Sequence, residues 1–139
     1  MFIKENHYNK LMRIIIFIIG VISMFGFFKK NNISSELREK LNSNDSIIID
    51  VREENEVVEG HIEKAKWLPL SELKENSENS IENLKTQFPN KTFYLYCRSG
   101  NRSGIATDIF TDKGLKAQNI GAFDDLSKIL ATKKGQMDR

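Results

Sequence analysis

Thr92-Phe93-Tyr94-Leu95-Tyr96-Cys97-Arg98-Ser99-Gly100-Asn101-Arg102-Ser103 joins an apolar run, a polar loop and the start of a helical pattern. The run reads as a buried strand, and it ends on the only cysteine of the 139-residue sequence. Beyond the loop, Ile105, Ile109 and Phe110 fall on one face of a helix over Ser103 to Lys113, which Gly114 closes. Strand, short polar loop and helix together build an anion cradle. Successive backbone N–H groups turn inward, and the positive end of the helix macrodipole faces the same point. A cysteine held there ionises readily, with a pKa of roughly 3.5–7.5 against ~8.5 for a free thiol. A lone free cysteine is more often a small core hydrophobe, but Arg98 to Asn101 cannot follow this one into a core. Cys97 is therefore the candidate nucleophile.

A second continuous β-branched run, Ile47-Ile48-Ile49-Asp50-Val51, has the pattern of a strand buried on both faces of a parallel sheet. Around these two strands the pattern predicts a helix over Glu36–Leu41 capped by Ser34 or Ser35, and a short helix within Arg52–Glu59 ended by Gly60. An extended piece at Trp67–Leu70 and a helical region from a Ser71 cap to Phe88, broken around Ser77–Ser80, follow. A brief strand at Ala117–Ile120 and a terminal helix over Asp124–Ala131 complete the series. Strands alternating with helices give an α/β domain with a mainly parallel sheet. In such sheets ligands sit beyond the carboxyl ends of the strands, where Asp50 and Cys97 both fall.

The chain divides near residue 30. Leu11 to Phe28 is apolar except for Arg13, Ser23 and two glycines, behind a positive front of Lys4, Lys10 and Arg13. Residues 1–30 read as a signal peptide or N-terminal membrane anchor. The expectation is export to the periplasm or another extracytoplasmic space, with residues 11–28 kept as an inner-membrane anchor. A single cysteine allows no internal disulfide. The formal net charge of +2 misleads, because the first thirty residues hold five Lys/Arg and one acidic residue. The remainder carries 16 basic against 18 acidic residues, so a nucleic-acid partner is not expected. Neither His7 nor His61 has a ligand neighbour at useful spacing, so no metal is expected, and no other cofactor.

Ile49-Asp50-Val51-Arg52, Glu56, Gly60-His61-Ile62, Leu68-Pro69-Leu70 and Cys97-Arg98-Ser99-Gly100-Asn101-Arg102-Ser103 resemble, in order and spacing, the rhodanese homology domain. Asn119-Ile120-Gly121-Ala122-Phe123 is similar to that family's closing segment. The resemblance covers roughly Ser34 to Leu130 and places the domain at 31–132, with 133–139 a polar tail. It implies a sheet of about five strands flanked by helices. It also implies a sulfurtransferase in which Cys97 carries a persulfide, with a small anionic donor such as thiosulfate and a thiol, cyanide or protein acceptor. Cys97 corresponds to the nucleophile, and Arg98, Ser99, Gly100, Asn101 and Arg102 to the substrate-binding loop. Asp50, Arg52, His61 and Ser103 correspond to structural support. Glu63-Lys64-Ala65 after Ile62, and Gly121-Ala122 at the closing segment, depart from the family pattern and bear on wall shape and substrate preference.

Two other classes stay in view. A cysteine phosphatase or arsenate reductase uses the same sort of cradle, but four residues separate Cys97 from Arg102 where phosphatases have five. A non-enzymatic persulfide carrier or thiol sensor would keep the same cysteine and arginines.

Overall fold

Two apolar runs form the central pair of a parallel sheet. The computed structural model describes residues 35–137 and residue 139. Arg38–Arg139 forms one unit; of the other, Met1–Leu37, only residues 35–37 are described. Residues 1–30, with the expected leader or anchor at 11–28, lie outside the described residues. Among the described residues no helix is long and apolar enough to cross a membrane.

Residues 35–42 are helical (α1). The elements that follow are β1 (Ser46–Asp50), α2 (Glu54–Val57), β2 (His61–Ile62), β3 (Lys66–Trp67), α3 (Leu70–Glu75) and α4 (Ser77–Gln87). After them come β4 (Thr92–Cys97), α5 (Asn101–Asp112), β5 (Lys116–Ala122), α6 (Phe123–Leu126) and β6 (Thr132–Lys133). The main sheet has the order β3-β1-β4-β5 and is parallel throughout. β1 and β4 run in step from Ser46 opposite Thr92 to Asp50 opposite Tyr96. That register brings the ends carrying Asp50 and Cys97 side by side.

Side chains alternate across a strand. Phe93, Leu95 and Cys97 therefore face the cluster that contains Ile49, Val51, Leu70, Leu73, Ile81, Ala106 and Phe110. Phe93 packs edge-on against Phe110, with ring centroids 5.5 Å apart. Tyr96 points to the opposite face, where it stacks on Phe123. Burying one aromatic or aliphatic side chain of this size contributes about 1.5–3 kcal/mol.

The α/β class of the sequence reading is the class observed, but the strand count differs. The parallel sheet has four strands rather than five. β2 instead pairs antiparallel with β6 in a separate two-stranded sheet. Residues 131–136 and Arg139 are exposed yet tied down. Lys133 lies opposite His61, Gly135 N–H donates to the Val58 carbonyl at 3.0 Å, and Arg139 pairs with Glu72 at 2.8 Å.

Several boundaries also move. Pro69, not Ser71, occupies the N-cap of α3, because its fixed φ of −62° suits the turn into a helix. The Ser71 hydroxyl donates instead to Glu53 at 2.9 Å. The break between α3 and α4 falls at Asn76. The last helix shrinks to Phe123–Leu126, and α5 begins at Asn101, two residues before the expected start. Gly100 makes that early start possible. It takes the N-cap with φ +95°, a conformation that costs other residues more than glycine.

Candidate active site

The site is a loop of three residues closing the gap between β4 and α5. Cys97 is the last residue of β4, and its Sγ lies under the first turn of α5. Gly100 N–H donates to the sulfur at 3.0 Å, and the Ser103 hydroxyl sits 3.4 Å from it. Burial pushes the Cys97 thiol up. The Ser103 hydroxyl and the backbone amides of Ser103, Ser99 and Gly100 pull it down, and together they win: the thiol ionises below its ordinary value. The sulfur thus meets donors on its loop side, as the strand–loop–helix order predicts.

Accessibility is where the site departs from a simple open nucleophile. Cys97 has no exposed surface, whereas Arg98 and Ser99 of the loop and Asn101 at the start of α5 are exposed.

The arginines divide. Arg102 turns away onto Glu56 in a two-pronged pair, Nη1 to Oε2 at 2.6 Å and Nη2 to Oε1 at 2.7 Å. Hydrogen bonding to Arg102 holds the Glu56 carboxyl below the usual carboxylate range, and Glu56 in turn raises the Arg102 guanidinium. Arg98 lines a cleft of about 190 Å³ with Arg52, Glu56, Glu59, Gly60, Phe123 and Asp124. It is the loop cation directed at open space.

Glu56 is a residue that the sequence reading quoted without assigning it a role. It sits in α2, where its side chain accepts from the Glu53 N–H at 3.1 Å in a reciprocal capping arrangement. Helix α2 therefore holds the loop from 46 positions away. Asn119 was missed in the same way. Its amide accepts from the Ser103 hydroxyl at 2.8 Å and donates to the Gly100 carbonyl at 2.9 Å. The available signal was an asparagine inside a strand, where that residue is depleted.

Asp50 ends the neighbouring strand β1, Arg52 follows it, and His61 lies in β2 of the smaller sheet. Arg52 is clamped to Asp50 through Nε and Nη2 at 2.7–3.1 Å, and its Nη2 also donates to the Gly60 carbonyl at 2.7 Å. The Arg52 guanidinium lies 4.3 Å from the centre of the Phe123 ring. His61 Nδ1 is 2.9 Å from the Val57 carbonyl. A carbonyl can only accept, so Nδ1 carries the hydrogen. The Tyr96 hydroxyl accepts from Ile62 N–H at 3.1 Å. Burial and then the Asp50 carboxylate push this phenol far above its ordinary pKa, so it stays neutral. None of these groups touches the sulfur.

The chain matches the Rhodanese-like domain over residues 34–125. It is 36% identical over 108 residues to a mitochondrial protein of Schizosaccharomyces pombe that is provisionally named a thiosulfate sulfurtransferase, covering 73% of this chain and 72% of that one. It is 30% identical over 80 residues to the thiosulfate sulfurtransferase PspE of Escherichia coli, covering 57% and 72%. A solved rhodanese from E. coli, with bound anions, superimposes with a TM-score of 0.52 at 28% identity, covering 65% of this chain and 99% of that one. The chain belongs to the rhodanese-like domain family.

Proposed function

We propose that this protein is a sulfurtransferase that carries sulfane sulfur on Cys97. The observation that carries the reading is the Cys97 sulfur held at a strand end by the Gly100 amide and the Ser103 hydroxyl. The names of the relatives support it. In the first half-reaction the Cys97 thiolate attacks the outer sulfur of a thiosulfate-like donor. The donor's S–S bond breaks, sulfite leaves with the bonding pair, and a persulfide remains on Cys97. In the second, an acceptor thiolate attacks the outer sulfur and restores the Cys97 thiolate. Ping-pong kinetics follow from two such displacements.

The backbone amides stabilise the charge on sulfur in both half-reactions. Arg98 attracts the anionic donor, since its guanidinium offers parallel donors to an oxyanion. Arg102 works at one remove, fixing the loop through Glu56. The buried state of Cys97 favours a second reading, a persulfide carrier that turns over slowly with small donors and quickly with a protein that opens the loop. Residues 11–28 would hold either kind of protein in a membrane; recovery of the full chain in a washed membrane fraction tests this placement.

The full chain, incubated with thiosulfate, should gain ~32 Da at Cys97 and release one sulfite per chain. No mass gain at Cys97 would overturn sulfur transfer. Rapid turnover to cyanide would favour the enzyme, and stoichiometric loading without turnover the carrier.

A further inference from the structure

The two polar groups that stand against Cys97 Sγ both lead back to one side chain on another strand. Ser103 Oγ lies 2.8 Å from Asn119 Oδ1, and the Gly100 carbonyl accepts from Asn119 Nδ2 at 2.9 Å. Gly100 N–H and Ser103 Oγ are the same two groups that stand 3.0 and 3.4 Å from the sulfur. Ser103 is fully buried, so its hydroxyl must find its partners within this cluster.

The local backbone is shaped to bring the amide there. The β4–β5 register shifts after Leu95: Leu95 lies opposite Asn119, but Tyr96 lies opposite Gly121. Such an irregularity re-aims the side chain beside it. Asn119 Oδ1 also accepts from Gly121 N–H at 3.0 Å, which fixes its own orientation. On the helix side, Gly104 leaves the space: a Cβ there would lie 3.4 Å from Asn119 Nδ2.

We propose that Asn119 is a positioning residue for sulfur transfer: its NH₂ end holds the Gly100 carbonyl so that Gly100 N–H stays aimed at Cys97 Sγ, while its carbonyl end competes with the sulfur for the single Ser103 hydroxyl hydrogen. This rests on the reading of Cys97 as the nucleophile. Asn119 touches neither sulfur nor substrate and acts through Ser103 and Gly100. The charged group acting on Cys97 across the loop is Arg102, already held by Glu56; substitution at Asn119 leaves that pair in place.

The test uses the full chain, in which Cys97 is the only thiol. The rate of alkylation by iodoacetamide, measured against pH, gives the ionisation midpoint of Cys97 without sulfur transfer. In a Ser103→Ala background, where the competing hydroxyl is gone, Asn119→Ala should move the midpoint up by about one pH unit, the size of a weakened hydrogen bond to a charged group. Asn119→Asp keeps the size and the acceptor but lacks the NH₂ donor and adds a negative charge; it should move the midpoint further, and covers the case in which the alanine variant does not fold. With Ser103 present the Asn119→Ala shift should be smaller, because the freed hydroxyl then turns its one hydrogen to the sulfur. At neutral pH thiosulfate loading should be about tenfold slower in the double variant than in Ser103→Ala alone, converting the same shift, and recover as pH rises. A general loss of stability would lower the rate at every pH and leave the midpoint in place; that result, or a downward shift, overturns the proposal. If the unsubstituted chain does not load sulfur, the sulfur-transfer reading fails whatever Asn119 does. If it loads sulfur and the Asn119 variants keep its midpoint, only the positioning role fails.

Discussion

β1 and β4 are hydrogen-bonded neighbours, and each ends in a turn that carries an arginine. At the end of β1, Asp50 and Arg52 cancel one another two residues apart, with side chains 0% and 5% exposed, beneath Tyr96 and Phe123. Beyond the end of β4, Arg102 in the first turn of α5 is drawn off by Glu56 of α2, and its side chain stays 30% exposed. The sulfur it leaves behind faces donors and has no acceptor among the hydrogen bonds it makes. A strand end is thus closed by neutralising its charge locally, and made reactive by removing the neutralising partner to another element while the backbone amides stay.

The contrast breaks most sharply at the sulfur. Cys97→Ser should abolish thiosulfate loading and leave the melting temperature near that of the parent, because oxygen takes the place of sulfur among the same donors. Loading by the serine variant, followed by mass and by sulfite release, would erase the distinction between the two strand ends.

Asp50→Ala should do the reverse. It strands the Arg52 guanidinium without its carboxylate and should cost about 3–5 kcal/mol in urea unfolding, a large share of the roughly 5–15 kcal/mol total of an ordinary domain. A cost under 1 kcal/mol would mean that the closed corner is not held by its ion pair.

Glu56→Gln should cost about 1 kcal/mol, since the Arg102 pair is only partly buried. Its pH dependence sharpens the point. The Glu56 carboxyl is held below its unfolded value, so its contribution is present above the ordinary carboxylate range and is lost as pH falls through the folded value. The gap between parent and variant should therefore close in acid. A gap that widens there would mean that Arg102 is held by something else.

The smallest effect is expected at Ser71→Ala. The exposed bond to Glu53 is worth at most about 0.5 kcal/mol, and activity should not change. A clear loss of activity would show that α2 is steered through Glu53 as well as anchored by it.

What the sequence made legible follows the range of the interactions. β1 and β4 could be read because unbroken runs such as Ile47–Ile49 and Phe93–Tyr96 have few alternatives to a buried strand. The cradle could be read because its parts are contiguous. The start of α5 at Asn101 was less legible: it depends on Gly100 adopting a positive φ, which composition permits but does not require. The two-stranded sheet was hidden, because its four residues lie far apart in the chain and carry no alternation. Glu56 and Asn119 were hidden for a related reason. Their partners lie 46 and 16 positions away, and nothing in the local pattern says which arginine a glutamate will take. The burial of Cys97 belongs here too, since a loop sequence records which amides are present but not how closely they cover a sulfur.

Trp67, the single tryptophan of the sequence, donates its indole N–H to the Arg52 carbonyl at 2.9 Å. Its fluorescence is therefore a native optical probe of the β1 corner. The lone thiol offers a separate chemical handle at the β4 end. Opening at the two places can be timed in one sample, by emission and by labelling, with no engineered reporter.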